Sequence, residues 1–346
     1  MSIFGSVRDL HLELTSRCTL RCPRCQRTSN PEQLAIADLP FDIVRTSMTR
    51  QSFPDVRFIN MCGNYGDAIY HPRFHGIIEH LKLQGFDLRL ETNGCHRPAR
   101  WWRRTAEILD RRDRVTLSID GLEDTNHVYR VNARWPDILD AVAALRGRVF
   151  LIWKLIVFRH NQHQVAEAEE RARALGFDEF RIVRSSRFDG RWRDPDGTDP
   201  FKPSAEWVGE RKAITERIRG APAAEVRISP RCARGENIFI SAEGFLLPCC
   251  YSHILLRATA TAPKMSNRSD LWFERNRHLF DLTRRSVAEV LADDRWRELE
   301  RLWSTDHAPS ICSRYCGAPA DCDLSGPAEL RKRDLRLVAL REGSRA

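Results

Sequence analysis

Glu13-Leu14-Thr15-Ser16-Arg17-Cys18-Thr19-Leu20-Arg21-Cys22-Pro23-Arg24-Cys25 sets three thiols within eight residues, directly after the alternating run Leu10 to Leu14 that predicts a strand. Three soft ligands this close suit three irons of a 4Fe-4S cube, whereas a closed tetrahedral zinc site needs a fourth ligand. The fourth iron then stays open to another ligand. A zinc knuckle or a set of buried free thiols is the plainer alternative for the same residues.

Outward from this stretch, short β-branched or alternating runs predict strands at Leu10 to Leu14, Val56 to Met61, Leu88 to Thr92, Val115 to Ile119, Phe150 to Val157 and Glu179 to Val183. Helical spacing separates them at Phe41 to Thr49, Phe74 to Leu83, Arg100 to Asp110, Pro136 to Leu145 and Val165 to Leu175, the last closed by Gly176. Strand and helix alternate every ~25 to 35 residues, the pattern of parallel βα units. Cys18, Gly63 to Asp67, Asn93 and Asp120 each follow a strand. α/β barrels carry their chemistry on the loops at the carboxyl ends of strands, although Gly, Asn and Asp are also ordinary turn formers.

The spacing of Cys18, Cys22 and Cys25 after a first strand resembles the signature of the radical S-adenosylmethionine (SAM) superfamily, and the resemblance runs through the first ~185 residues. It implies a partial (β/α)6 TIM-like barrel that binds a 4Fe-4S cluster and SAM. Gly63-Asn64-Tyr65-Gly66-Asp67-Ala68-Ile69-Tyr70-His71-Pro72 resembles the family's glycine-rich acidic segment, which binds the SAM amino group, with Asp67 where Glu is usual. Thr92-Asn93-Gly94 and Ser118-Ile119-Asp120-Gly121 resemble the third- and fourth-strand motifs, and Arg130 the helix arginine that pairs with the SAM carboxylate. By this resemblance Gly63, Gly66, Asp67, Asn93, Ser118, Asp120 and Arg130 are SAM-site residues. Arg24 stands where the family commonly has an aromatic beside adenine, so stacking falls to its guanidinium or to another residue. No catalytic residue beyond these is assigned.

After Ser185 the pattern changes. Arg187 to Lys202 is rich in Asp, Gly, Pro and Arg and reads as a linker or surface loop, followed by a helix over Ala205 to Arg219. Cys232, then Gly244, then Cys249 at the end of a hairpin run from Ile238 to Leu247 resembles the opening of SPASM or twitch domains, which bind auxiliary iron-sulfur clusters. Cys312, Cys316 and Cys322 resemble the later part, with a three-residue first spacing where two is usual. Six cysteines after residue 230, two of them adjacent, are too few for two four-thiolate clusters, so one auxiliary 4Fe-4S cluster is expected. Its ligands are Cys232, Cys249, Cys312 and Cys316, with Cys322 able to replace either of the last two and Cys250 a substitute for Cys249. Zinc on the same thiolates is the local alternative. The expected layout is a barrel over 1–185, a linker and helix over 186–231, a smaller cysteine-rich domain over 232–325 and a basic helix or tail over 326–346, with helices at Leu271 to Arg277, Val287 to Trp303 and Ala328 to Arg341. Cys62 and Cys95 read as small buried hydrophobes, Trp101 and Trp102 as core, and Lys154 equally as a core-edge lysine or a ligand-facing charge.

The 346 residues are 42% hydrophobic and 30% charged, ordinary for a folded chain. The longest apolar run, Val149 to Phe158, is broken by Lys154 and falls short of the roughly 20 residues that span a membrane. Neither a basic nor an apolar signal segment opens the chain, and eleven cysteines are an odd number, so a cytoplasmic address and metal use are expected over a disulfide framework. The short stretch before the first strand speaks against a leader-peptide module there. The net charge of +9 rests on 50 Arg and 6 Lys dispersed among acids. That distribution argues against a polyanion footprint. A cysteine-coordinated zinc protein that binds nucleic acid through its Arg-rich surface is the second reading. The first calls for a reducing partner such as flavodoxin or ferredoxin and for a peptide or small-molecule substrate.

Overall fold

The computed structural model describes residues 4, 6–185, 188, 196–208, 226–236, 238–262, 269–305, 307–319 and 335–340. Six strands alternate with helices along the first half: β1 (Asp9–Leu12), β2 (Phe58–Met61), β3 (Asp87–Thr92), β4 (Arg114–Ser118), β5 (Phe150–Val157) and β6 (Glu179–Arg184). Five further strands follow, β7 (Val226–Ile228), β8 (Ile238–Ile240), β9 (Leu246–Leu247), β10 (Gly317–Pro319) and β11 (Leu335–Ala339). All six expected strands form, each within two residues of its expected bounds, and the helices Phe74–Leu83 and Val165–Leu175 match theirs.

The chain divides into two compact units. One comprises Met1–Cys18, Ser29–Leu90 and Arg217–Pro327; the other comprises Thr19–Thr28, Glu91–Glu216 and Ala328–Ala346.

In the first unit β1 is central, parallel to β2 on one side and to β8 on the other, so that Leu10 lies opposite both Ile59 and Ile238. A parallel strand needs its backbone groups paired on both edges when buried, and β8 supplies the second edge from more than 200 residues along the chain. β9 closes the expected hairpin onto β8. Behind it Phe4, Trp272, Phe280 and Trp296 pack ring against ring, with Phe4 and Phe280 each about 5 Å from Trp296.

In the second unit β4, β5 and β6 run parallel, with Ser118 opposite Lys154 and Lys154 opposite Arg181. Strand alternation gives this sheet two different faces. Trp153 points to one, fully buried among Trp135, Phe177 and Phe180, with Nε1 donating to Ile119 O at 2.9 Å. The other carries Ser118, Lys154, Glu179 and Arg181, and Lys154 is ion-paired to Glu91.

Three expectations need correction. Residues Leu335–Ala339 form β11, antiparallel to β6, rather than part of a helix over Ala328 to Arg341. β6 would otherwise leave one edge unpaired, and the alternating Leu-Arg-Leu-Val-Ala stretch fits that edge. The expected helix Val287 to Trp303 is two, Val287–Leu291 and Trp296–Trp303, because the Asp293 side chain accepts from Arg295 N at 3.0 Å and turns the chain. Cys250–Thr261 is a helix the hairpin reading did not anticipate. Of the expected helix Ala205 to Arg219, a 3-10 turn covers Ala205–Trp207, and residues beyond 208 lie outside the described ones. Among the described residues no helix is long and apolar enough to cross a membrane.

Replacing Trp153 by Ala removes one of the two fully buried tryptophans of the second unit's core and leaves a cavity. We expect a loss of about 3–5 kcal/mol in denaturant unfolding; a loss below about 1 kcal/mol would show that this sheet is not packed as described.

Candidate metal and cofactor sites

The first unit holds Cys18 and the glycine-rich segment. Beyond β1 the chain from Thr15 to Arg17 is fixed by side-chain and backbone bonds: Thr15 Oγ1 donates to Asp38 Oδ1 at 2.5 Å, Ser16 Oγ to Ala35 O at 2.7 Å, and Asp67 N to Arg17 O at 2.9 Å. Gly66 lies so close that a Cβ there would run into the carbonyl of Thr15, and a Cβ at Gly63 would meet Gly66 O and the Glu13 carboxylate. Only glycine allows this approach. The Asp67 side chain caps the 3-10 turn Ala68–Tyr70, accepting from Ile69 N at 3.3 Å, so its buried carboxylate already serves the backbone.

The same unit gathers Cys232, Cys249, Cys312 and Cys316. Burial pushes the Cys232 thiol well up, and the neighbouring Cys249, Cys312 and Cys316 add to the rise. The Cys312 thiol is raised in the same way, by burial and then by Cys249 and Cys316, and that of Cys249 by burial and then Cys316. These four thiols therefore share one electrostatic neighbourhood. Local folding explains how. Cys312 and Cys316 lie in the helix Ser310–Cys316, where the three-residue spacing that departs from the family pattern puts both on one face. β10 leaves that helix and pairs with β7, and Ser229 N donates to Cys316 O at 3.0 Å, which brings the chain just before Cys232 alongside. Cys249 is the N-cap of Cys250–Thr261, fixed by Ser252 Oγ, which accepts from Cys249 N at 3.2 Å. Tyr251 and Tyr315 stack with centroids 3.6 Å apart and fasten the two helices. The carbonyl of Cys250 accepts from Asn64 Nδ2 at 2.7 Å. Cys322 lies outside the described residues.

The second unit holds Cys22 and Cys25 in a turn, Cys25 N donating to Cys22 O at 3.1 Å. Arg21 N donates to Val131 O at 3.0 Å, which ties this turn to the segment bearing Arg130. Arg130 Nε donates to Asp120 Oδ2 at 2.6 Å, and its Nη1 lies 4.0 Å from Cys22 Sγ. Burial works against the Arg130 charge, but Asp120 and Cys22 outweigh it and hold the guanidinium protonated. Burial raises the Cys22 thiol, opposed by the nearby Arg130. Asp120 is itself fully buried, its second oxygen accepting from Ile156 N at 2.7 Å. Asn93 Oδ1 accepts from Cys95 N at 2.9 Å, and Ser118 Oγ reaches Glu91 at 3.5 Å.

Arg24 has a role that sequence reasoning missed. Its guanidinium is buried, ion-paired to Asp199 and set over the rings of Phe188 at 4.9 Å and Phe201 at 5.7 Å. The stretch expected to be a linker or surface loop thus supplies buried partners, Phe188 and Asp199. An acidic residue flanked by Gly and Pro carried no sequence signal for that pairing. Cys95 and Trp102 are buried as expected, and Cys62 is half-buried.

Residues 12–172 match the family model described as the radical SAM superfamily, and residues 232–317 match SPASM, an iron-sulfur cluster-binding domain. A tungsten-containing aldehyde ferredoxin oxidoreductase cofactor-modifying protein from Pyrococcus furiosus is 31% identical over 156 residues, 45% of this chain and 40% of that protein. The chain therefore spans two fifths of that relative's length. Among solved structures, anSMEcpe with bound SAM aligns with a TM-score of 0.51 at 11% identity, over 94% of this chain and 95% of that one. Streptococcus suis SuiB bound to the precursor peptide SuiA aligns with a TM-score of 0.50 at 13% identity, over 78% and 65%. At such identities the likeness speaks to fold: a partial (β/α)6 barrel with a smaller cysteine-rich domain after it. The first family uses a 4Fe-4S cluster, SAM and an external reductant, and SPASM domains hold auxiliary clusters. The zinc-bound, nucleic-acid-binding alternative draws no support from either match. The chain belongs to the radical SAM superfamily through residues 12–172 and carries a SPASM-type iron-sulfur domain over residues 232–317.

Proposed function

We propose that the chain is an enzyme that reductively cleaves SAM and abstracts a hydrogen atom from a peptide or a small metabolite. Cys18, Cys22 and Cys25 hold the SAM-binding cluster; Gly63, Gly66, Asp67, Asn93, Ser118, Asp120 and Arg130 serve SAM; Cys232, Cys249, Cys312 and Cys316 hold one auxiliary cluster. When bound and reduced, the cluster and SAM supply methionine and a 5'-deoxyadenosyl radical. The observation that carries this reading is Arg130, a cation with a 15% exposed side chain, locked by the buried Asp120 within 4.0 Å of the Cys22 sulfur.

A guanidinium held by one carboxylate keeps free N–H groups in a fixed plane, suited to a ligand carboxylate. Its orientation is settled before any ligand arrives, since Asp120 is anchored by the Ile156 amide. The glycines at 63 and 66 let this segment lie directly against Thr15, Ser16 and the Glu13 carboxylate, where a side chain would clash. The buried thiols fit iron on chemical grounds. The Cys232 and Cys312 thiols, raised by burial and further by neighbouring cysteines, are costly as bare thiolates, and a cationic cluster core takes up that charge with release of protons. At Cys249 the amides of Tyr251 and Ser252 at the helix N-terminus oppose part of the rise that burial and Cys316 impose.

SuiB is bound to a precursor peptide and the Pyrococcus protein modifies a cofactor, so both substrate classes have a neighbour. A flavodoxin, or a ferredoxin near about -400 mV, is the reductant class. A reducing, cytoplasmic compartment suits the ten free cysteines among the described residues.

Anaerobically reconstituted protein given SAM and dithionite should form 5'-deoxyadenosine, measured by chromatography, and Cys22→Ala should form none. Equal yields from both would remove the mechanism. Cys232→Ala should lose about four of about eight irons by colorimetric assay, the share of one 4Fe-4S cluster; full iron content in that variant would refute the auxiliary ligand set.

A further inference from the structure

Glu13 lies one residue beyond β1, 1% exposed, and takes no part in the chemistry described above. Its carboxylate accepts from Tyr65 N at 2.9 Å, in the middle of the Gly63–Asp67 segment. Behind the carboxylate stands His253, 2% exposed, on the helix capped by Cys249. His253 Nε2 lies 2.8 Å from Glu243 Oε2, and its Nδ1 faces Glu13 Oε2 at 3.6 Å. Glu243 is further paired to Arg257, whose Nε donates to Gln33 O at 2.9 Å.

An imidazole flanked by carboxylates on both nitrogens satisfies only one of them when neutral, since one ring nitrogen is then an acceptor. With Nε2 donating to Glu243, Nδ1 and Glu13 Oε2 would face each other as two acceptors. One proton must therefore lie on this edge, on the ring or on the carboxyl, and neither atom has another hydrogen-bond partner. A small cavity lined by Glu13, Ser16, Tyr65, Glu243, His253 and Arg257 adjoins them. Two further contacts run in parallel: Asn64 Nδ2 donates to Cys250 O at 2.7 Å, and the Tyr65 ring meets His253 edge-on at 5.7 Å.

We infer that Glu13 and His253 are positioning residues that fix the backbone of Gly63–Asp67 against the helix bearing Cys249, so that the SAM-binding segment and an auxiliary-cluster ligand move as one body. This rests on the proposal that Gly63–Asp67 binds SAM and Cys249 binds iron. A buried carboxyl group that holds the Tyr65 amide and faces His253 restricts the loop, and altering either side chain loosens it without touching a ligand residue.

The test uses the full reconstituted chain with Glu13→Gln, which keeps the shape and loses the charge, and His253→Phe, which keeps a ring against Tyr65 and Phe239. Amide hydrogen exchange at Asn64 and Tyr65 should quicken about tenfold in each, and the Kd for SAM in equilibrium dialysis should rise about tenfold, with iron content unchanged. The double variant should do less than the product of the two single effects, because the residues act on one contact. Exchange and SAM affinity within twofold of the parent in either iron-replete variant would overturn the inference. Parent protein that binds no SAM would instead contradict the functional reading, while the exchange measurement still tests the clamp.

Discussion

Burying the Glu13 carboxylate is the constraint on which the first unit depends. At 1% exposure burial pushes the Glu13 carboxyl up, and the groups that meet it are the Tyr65 N–H and the His253 ring. Those groups come from distant parts of the chain, at residues 65 and 253. The parallel pairing of β8 with β1 makes the convergence possible, because it lays the later hairpin beside the first strand of the barrel. Stability and site construction are thus the same arrangement: the contacts that satisfy Glu13 also hold Gly66 against Thr15 at a distance only glycine allows.

In the second unit the governing interaction is the Arg130–Asp120 pair. Buried ion pairs contribute little net stability because desolvation offsets their attraction. This one is better understood as preorganisation, a cation fixed in direction beside Cys22 at the end of a sheet whose opposite face is ordinary aromatic core. The polar face of that sheet, with Lys154, Glu91 and Arg181, departs from the apolar lining usual in parallel sheets.

Much of this was legible in the sequence, for identifiable reasons. Hydrophobic periodicity located six strands because each is buried on at least one face, and cysteine spacing located the ligand candidates because thiols cluster for few other purposes in such a chain. What escaped was set by context. Leu335–Ala339 is a strand because β6 offers an edge, and Cys250–Thr261 is helical through its Cys249 and Ser252 cap despite Tyr, Ile and Thr residues that favour strands. The pairing of Arg24 with Asp199 joins residues 175 apart with no periodic signal. Glu13 and His253 were illegible for the same reason: each alone is one polar residue in an apolar run, and only the fold brings them together.

Electron paramagnetic resonance of the dithionite-reduced parent protein, recorded with and without SAM, tests most directly whether the amino-terminal thiols hold a cluster with an open iron. The account predicts a reduced 4Fe-4S signal that changes shape on adding SAM, because SAM occupies the site beside Cys22 and Arg130. Signals identical in its presence and absence, in a protein with its full iron content, would contradict it.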